Sequence, residues 1–264
     1  MDVLPTWDLR ENPVSPLVAT AIHNGHEIRD ELIPLFAIDT ADRAREEDAF
    51  TGLWADVFET RLIVHRSRFE VDLNRPRERA VYVLPEQSWG MQVWKKPPPP
   101  EVLERSLALY DAYYRDLQAL LTRMVERFGK VILLDVHSYN YRREGPDKPP
   151  APEDYNPGII VGTSNMNRVY WSPVVETFIR TVGLSSGLGE GVDIRENIKF
   201  AGGWMARWVH QTFPERVCGL AVEFKKTYMD EWTGEPFRDR IDAISRALME
   251  VQQPLTEALK IVGM

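Results

Sequence analysis

Two histidines stand where apolar runs end. His23 follows Leu17-Val18-Ala19-Thr20-Ala21-Ile22, and His137 closes Lys130-Val131-Ile132-Leu133-Leu134-Asp135-Val136. In open α/β sheets, ligands bind beyond the carboxyl ends of the strands, so polar residues just past such runs are the first candidates for chemistry. Arg68 lies just past a third run, Arg61-Leu62-Ile63-Val64-His65, and Glu223 interrupts a fourth, Cys218-Gly219-Leu220-Ala221-Val222-Glu223-Phe224. Imidazoles, an arginine and a carboxylate at such places suit a hydrolytic metal site with an anion-binding wall. A catalytic zinc takes three protein ligands and keeps one position open. The third ligand must be an acid, and Glu46-Glu47-Asp48 supplies three candidates that also read as a solvated turn.

Glu223 is the candidate general base. An unpaired carboxylate in an apolar strand is costly to bury, so it is either functional or paired, and Lys225 is the available partner two residues on. Asp135 and His137 share one strand face, so Asp135 can orient the imidazole from behind. Arg68, Asn74 and Arg75 form a candidate carboxylate grip: a guanidinium offers a planar fork, and a second one can steady an oxyanion. His65 reads as a plain strand residue and His210 as part of a solvated helix face. Gly183-Leu184-Ser185-Ser186-Gly187 matches the nucleophile-elbow pattern, but a helix precedes it where that motif needs a strand. Gly187-Leu188-Gly189-Glu190-Gly191 lacks the spacing of a dinucleotide fingerprint and reads as a flexible loop.

The elements that must position these residues alternate. Besides the four runs above, Ala80-Val81-Tyr82-Val83-Leu84 and Gly158-Ile159-Ile160-Val161-Gly162 read as strands. Glu101 to Phe128 carries apolar residues at helical spacing and stops at Gly129, with shorter helices over Pro173–Val182 and Trp204–Phe213. Pro236 to Val262 reads as a terminal helix interrupted at Pro254. Strands alternating with helices give an α/β fold, a three-layer mixed sheet with helices on both faces, in one domain spanning residues 1–264. Two polar stretches break the pattern. Lys95 to Pro100 is a stiff polyproline lead into a helix, and Glu144 to Pro157 is a proline-rich loop placed to act as a lid.

Composition narrows the function. The 264 residues include 40 acidic and 32 basic ones, a net charge of -8, which argues against a nucleic-acid partner gripped through its phosphates. A run long enough to span a bilayer is not found, Asp2 and Asp8 stand where a secretory leader needs positive charge, and the lone Cys218 excludes an internal disulfide. The expected setting is a reducing cytoplasm with no membrane partner.

Taken in order, His23-Asn24-Gly25, Val71-Asp72-Leu73-Asn74-Arg75, Leu134-Asp135-Val136-His137-Ser138, Phe200-Ala201-Gly202-Gly203 and Val222-Glu223-Phe224 through Tyr228-Met229-Asp230 resemble the N-formylglutamate amidohydrolase family. The resemblance implies a phosphorylase/hydrolase-like fold akin to zinc carboxypeptidases and aspartoacylase-type deacylases. It implies a Zn(2+)-dependent hydrolase of a small carboxylated amide, an N-acyl amino acid such as N-formyl-glutamate. By it, His23 and His137 hold the metal, Glu223 is the base, Arg68 steadies the oxyanion, and Asn74 and Arg75 hold the substrate carboxylate. Ser138, Asn197, Gly202 and Tyr228 are further substrate-binding candidates. Glu47-Asp48-Ala49-Phe50-Thr51 is similar to an acidic family motif, which makes Asp48 the third ligand, with Glu47, Glu27 and His26 as alternatives. The chain departs from the family at Asn24, where serine is usual, and at His26, where the carboxypeptidase-like relatives have glutamate. Other readings are a deacylase or metallo-carboxypeptidase for a different acyl group, or a non-catalytic sensor of a carboxylated metabolite.

Overall fold

The computed structural model describes residues 6–189 and 191–264; Asp2 in the acidic N-terminus and Glu190 in the glycine-rich stretch lie outside them. The strands are β1 (Trp7–Arg10), β2 (Leu17–Ala21), β3 (Arg61–Val64), β4 (Val131–Tyr139), β5 (Ile159–Gly162), β6 (Ile194–Glu196) and β7 (Val217–Lys225). The α-helices are α1 (Thr40–Glu46), α2 (Thr51–Ala55), α3 (Pro100–Phe128), α4 (Ser172–Gly183), α5 (Trp204–Thr212), α6 (Arg238–Glu250) and α7 (Gln252–Lys260). The strands form one sheet in the order β1-β3-β2-β4-β7-β5-β6. β3, β2, β4 and β7 run parallel, β1 is antiparallel to β3, and β5 is antiparallel to β7 with β6 parallel to it.

Side-chain alternation along the strands divides the core into two layers and sets where the site can form. Ile132, Leu134 and Val136 of β4 join Ala19 of β2 and Val222 of β7 against Trp54 of α2, Phe178 of α4, Leu248 of α6 and Leu255 of α7. Val131 and Leu133 point the other way, with Val18 and Val217, onto Tyr113, Leu117 and Leu121 of α3 and Val209 of α5. Asp135 and His137 continue this second parity, as do Thr20 on β2 and Glu223 on β7. The polar residues therefore gather at the carboxyl ends of the strands, on the face that α3 and α5 cover. Helix α3 starts with Pro100 in its first turn, ends at Gly129 with φ 78°, and reaches the site through two hydroxyls. Tyr114 donates to the Leu73 carbonyl at 2.6 Å and Tyr110 to the Arg75 carbonyl at 3.0 Å, so the long helix anchors the segment that carries Asn74 and Arg75.

The mixed three-layer α/β fold is the one expected, and four local readings are corrected. Residues 80–84 form no strand: Val81 and Tyr82 bury instead in a satellite cluster with Leu32, Phe36, Phe69 and Trp94. The C-terminal helix breaks at Val251, not at Pro254, which falls in the first turn of α7 where a missing N–H costs nothing. Glu46, Glu47 and Asp48 are buried at 4%, 2% and 2% exposure, so they are not a solvated turn. His210 is half-buried and bonds the Gly219 carbonyl at 3.2 Å, tying α5 to β7. Among the described residues, no helix is long and apolar enough to cross a membrane.

Candidate active site

His23 leaves the end of β2, Asp48 precedes α2, and His137 lies on β4; one ligand atom from each lies within 4.8 Å of the others. The three side chains are buried, and the two imidazole centroids stand 4.8 Å apart. Each ring turns Nε2 outward to a carboxylate: His23 to Asp72 at 2.7 Å, and His137 to Asp135 at 2.8 Å. Each turns Nδ1 inward to Asp48 Oδ2, at 3.4 Å from His23 and 3.1 Å from His137. Asp135 is itself fixed by the Thr20 hydroxyl at 2.8 Å. Carboxylates that grip the far nitrogen fix tautomer and ring plane, as they do behind metal-ligating histidines.

This donor set fits a divalent cation. His23 Nδ1 is buried and has no hydrogen-bond partner among the described residues, although a carboxylate oxygen lies 3.4 Å away. Such an orphaned ring nitrogen is costly unless its lone pair serves a ligand, and two imidazoles with one carboxylate suit zinc. Of the alternative acids, Glu47 bonds His26 and the Ser67 hydroxyl, and Glu27 is neither in the cluster nor on the cleft wall. His26 is turned away to Glu47 and Arg43.

Glu223 is the register partner of His137 across the parallel β4–β7 pair and lines the same cleft. Lys225 does not neutralise it, donating instead to Glu153 at 3.0 Å. Burial pushes the Glu223 carboxyl up to about 8; the opposing pull of His137 is only partly undone by Asp48. Burial disfavours charge at His137 too, but Asp135 and Asp48 outweigh it and hold its imidazole well above the ordinary value. Asp48 moves the other way: despite burial, the hydrogen bond from His137 and the closeness of His23 keep it ionised far into acid.

The cleft, about 270 Å³, runs from Arg68, Asn74 and Arg75 past these groups to the 199–203 segment. Arg68 is clamped by Asp72 at 3.0 Å, the Tyr82 hydroxyl at 3.2 Å and the Glu46 carbonyl at 3.3 Å, beneath the Trp89 ring at 4.8 Å. Asn74 accepts from the Met205 amide at 3.0 Å, which leaves its Nδ2 to donate, and Arg75 sits half-exposed, 3.7 Å from Asp72. Ser138 and Gly202 also line the cleft. Two expected substrate contacts do not. Asn197 spends its side chain on Thr163, in two bonds of 2.8 Å, and Tyr228 is wholly buried with its hydroxyl on Ser138 and the Ala49 carbonyl.

Several residues at the site carried no sequence assignment. Asp72 offered the same signal as Glu223, an acid between apolar neighbours. Lys226 offered none: it is buried, lies beside Lys225, and donates to the Arg45 and Glu47 carbonyls at 2.6 and 2.7 Å. Trp89 lies beyond the 80–84 run, and Arg143 and Lys199 come from loops.

The sequence matches the family model of the N-formylglutamate amidohydrolases over residues 15–229. The chain belongs to that family. The N-formylglutamate amidohydrolase of Ralstonia eutropha JMP134 is 17% identical and superposes with a TM-score of 0.74, over 97% of this chain and 98% of that one. A gene product of Agrobacterium tumefaciens is 14% identical, with a TM-score of 0.66 over 96% and 95% of the two chains. At such identities the likeness speaks for the fold. No curated protein sequence matches the chain. In this amidohydrolase-family chain, the matched region includes every residue of the cluster and its acidic supports.

Proposed function

We propose that the chain hydrolyses the amide bond of an N-acyl amino acid, N-formyl-glutamate being the substrate its family suggests. His23, Asp48 and His137 would hold a divalent cation, with zinc best suited to the donors. The observation that carries this reading is the convergence of two buried Nδ1 atoms on Asp48, with Glu223 at the same register one strand away. A cation there supplies polarisation of the carbonyl and acidification of water.

The remaining steps belong to the chain. Glu223 takes one proton from the attacking water as its oxygen bonds the carbonyl carbon and the C=O pair moves onto the oxygen; when that pair returns, the C–N bond breaks and the same carboxyl passes the proton to the departing nitrogen. An acid and an amine result, with every atom of the water accounted for. Arg68 donates to the developing oxyanion: three of its five N–H groups are used by Tyr82, Glu46 and Asp72, and the rest, in a fixed plane, have no partner among the described residues. Asn74 Nδ2 and the Arg75 fork take the carboxylate next to the amide.

The test is turnover of formyl-, acetyl- and succinyl-amino acids by metal-loaded protein, with Glu223→Gln beside it. The variant is expected to keep its metal and lose about 10²–10⁴ of kcat. Full turnover in Glu223→Gln would sink the base assignment, and binding of such acids without any turnover would make the chain a sensor.

A further inference from the structure

On the wall of the cleft, a bulky residue stands where the backbone favours glycine. Pro85–Gln87 forms a single 3-10 turn, closed by the Gly90 amide donating to the Pro85 carbonyl at 2.8 Å. A six-to-one bond of this kind ends a helix by putting the residue after its cap in the left-handed region, the usual place of glycine. Here that residue is Trp89, at φ 55°. Phe50, also at positive φ, packs its ring against the core, and Asn197 is of a type that adopts this conformation readily. Neither reason holds for Trp89: its ring is exposed, and a bulky side chain is strained there.

Charge holds the ring instead. Its centre lies 4.8 Å from the Arg68 guanidinium and 5.6 Å from that of Arg143, both within reach of a cation–π contact. It also meets the Tyr82 ring edge-on, 6.2 Å away. Glu46 fixes both guanidinium groups: Arg68 donates to its carbonyl at 3.3 Å, and Arg143 to both its carboxylate oxygens at 2.9 Å. The indole thus covers a face of Arg68, while Asp72, Tyr82 and Glu46 hold its edge. Water on that face would screen the remaining N–H groups, and an apolar ring in its place preserves their field. We infer that Trp89 is a positioning residue for Arg68, keeping its guanidinium dry and in plane for the oxyanion, at the cost of a strained backbone. This rests on the reading of Arg68 as the oxyanion donor and adds to it the residue through which that donor is tuned.

The experiment measures kcat and KM for N-formyl-glutamate in metal-loaded native protein, Trp89→Gly, Trp89→Ala and Trp89→Phe, with metal content and denaturation midpoint beside them. The glycine and alanine variants both lack the ring and differ in how they bear the left-handed backbone. Both should lose about threefold to thirtyfold in kcat, the span of a cation–π contact, with KM and metal content little changed. Trp89→Phe should recover most of that loss. Trp89→Gly should unfold at higher denaturant than Trp89→Ala, so that rate follows the ring and stability follows the backbone. Native kcat in Trp89→Gly, or a kcat that tracks the midpoint across the three variants, overturns the inference. Reaction of Arg68 with phenylglyoxal, read by mass spectrometry of its peptide, tests the cover without turnover: it should quicken in Trp89→Gly and Trp89→Ala and stay slow in Trp89→Phe. Quickened modification in a protein that hydrolyses no formyl compound keeps the cover and overturns the hydrolase; native turnover, with modification unchanged in the variants, does the reverse.

Discussion

Asp72 serves four neighbours with two oxygens. Oδ1 accepts from His23 Nε2 at 2.7 Å and from the Asn74 amide at 2.8 Å, while Oδ2 accepts from Arg68 at 3.0 Å and from the Tyr82 hydroxyl. One carboxylate thus links His23, Arg68 and Asn74, the residues proposed as metal ligand, oxyanion donor and substrate grip. Burial opposes its charge, but Arg68 and His23 prevail and keep it well below the usual carboxylate range. Asp72→Asn should weaken metal binding about 10–100-fold, read by competition with a chromophoric chelator. It also leaves a buried guanidinium without its counter-charge, so chemical denaturation should show a loss of about 3–5 kcal/mol. At the other end of the cleft, burial and then the Arg143 charge pull Lys199 below the ordinary lysine range. A lysine with a lowered value sheds its proton earlier as pH rises.

The strand ends and loops are held in place by close backbone approaches. A Cβ on Gly203 would overlap the Asn74 amide, and one on Gly162 would press into the Gly202 backbone, itself at φ +105°. Gly203→Ala should therefore displace Asn74, raise KM more than it lowers kcat, and cost about 1–3 kcal/mol in denaturant titration. These elements also show what could be read in advance. β2, β4 and β7 were legible because strands covered on both faces must be apolar nearly throughout, and the polar residues closing them, His23, His137 and Glu223, stood out against that background. Asp48 was legible only through family likeness. A charge run normally means solvent, and nothing local shows that Glu46 is buried against Arg143, Glu47 against His26 and Asp48 against two imidazoles. Val81 and Tyr82 misled for a related reason: alternating apolar residues serve a loop cluster as well as a sheet. Asn197, at φ 57°, is needed by its turn and by Thr163, a demand invisible in spacing.

At the scale of the molecule, the cluster joins three distant parts of the chain, which a cation held by all three would tie together. Binding that occurs only in the folded state stabilises by mass action. Chelator treatment should lower the melting temperature of metal-loaded protein, added zinc should restore it, and His137→Ala should remove most of this response along with the metal content. Loss of metal with no thermal shift would place the ion elsewhere. One further property follows from Trp89, which is 44% exposed and lies between two guanidinium groups, 4.8 Å from Arg68 and 5.6 Å from Arg143. Indole emission responds to the charges beside the ring, so an anion entering the cleft alters the field at Trp89. The mouth of this cleft therefore carries its own optical reporter, from which occupancy can be followed in real time without a label.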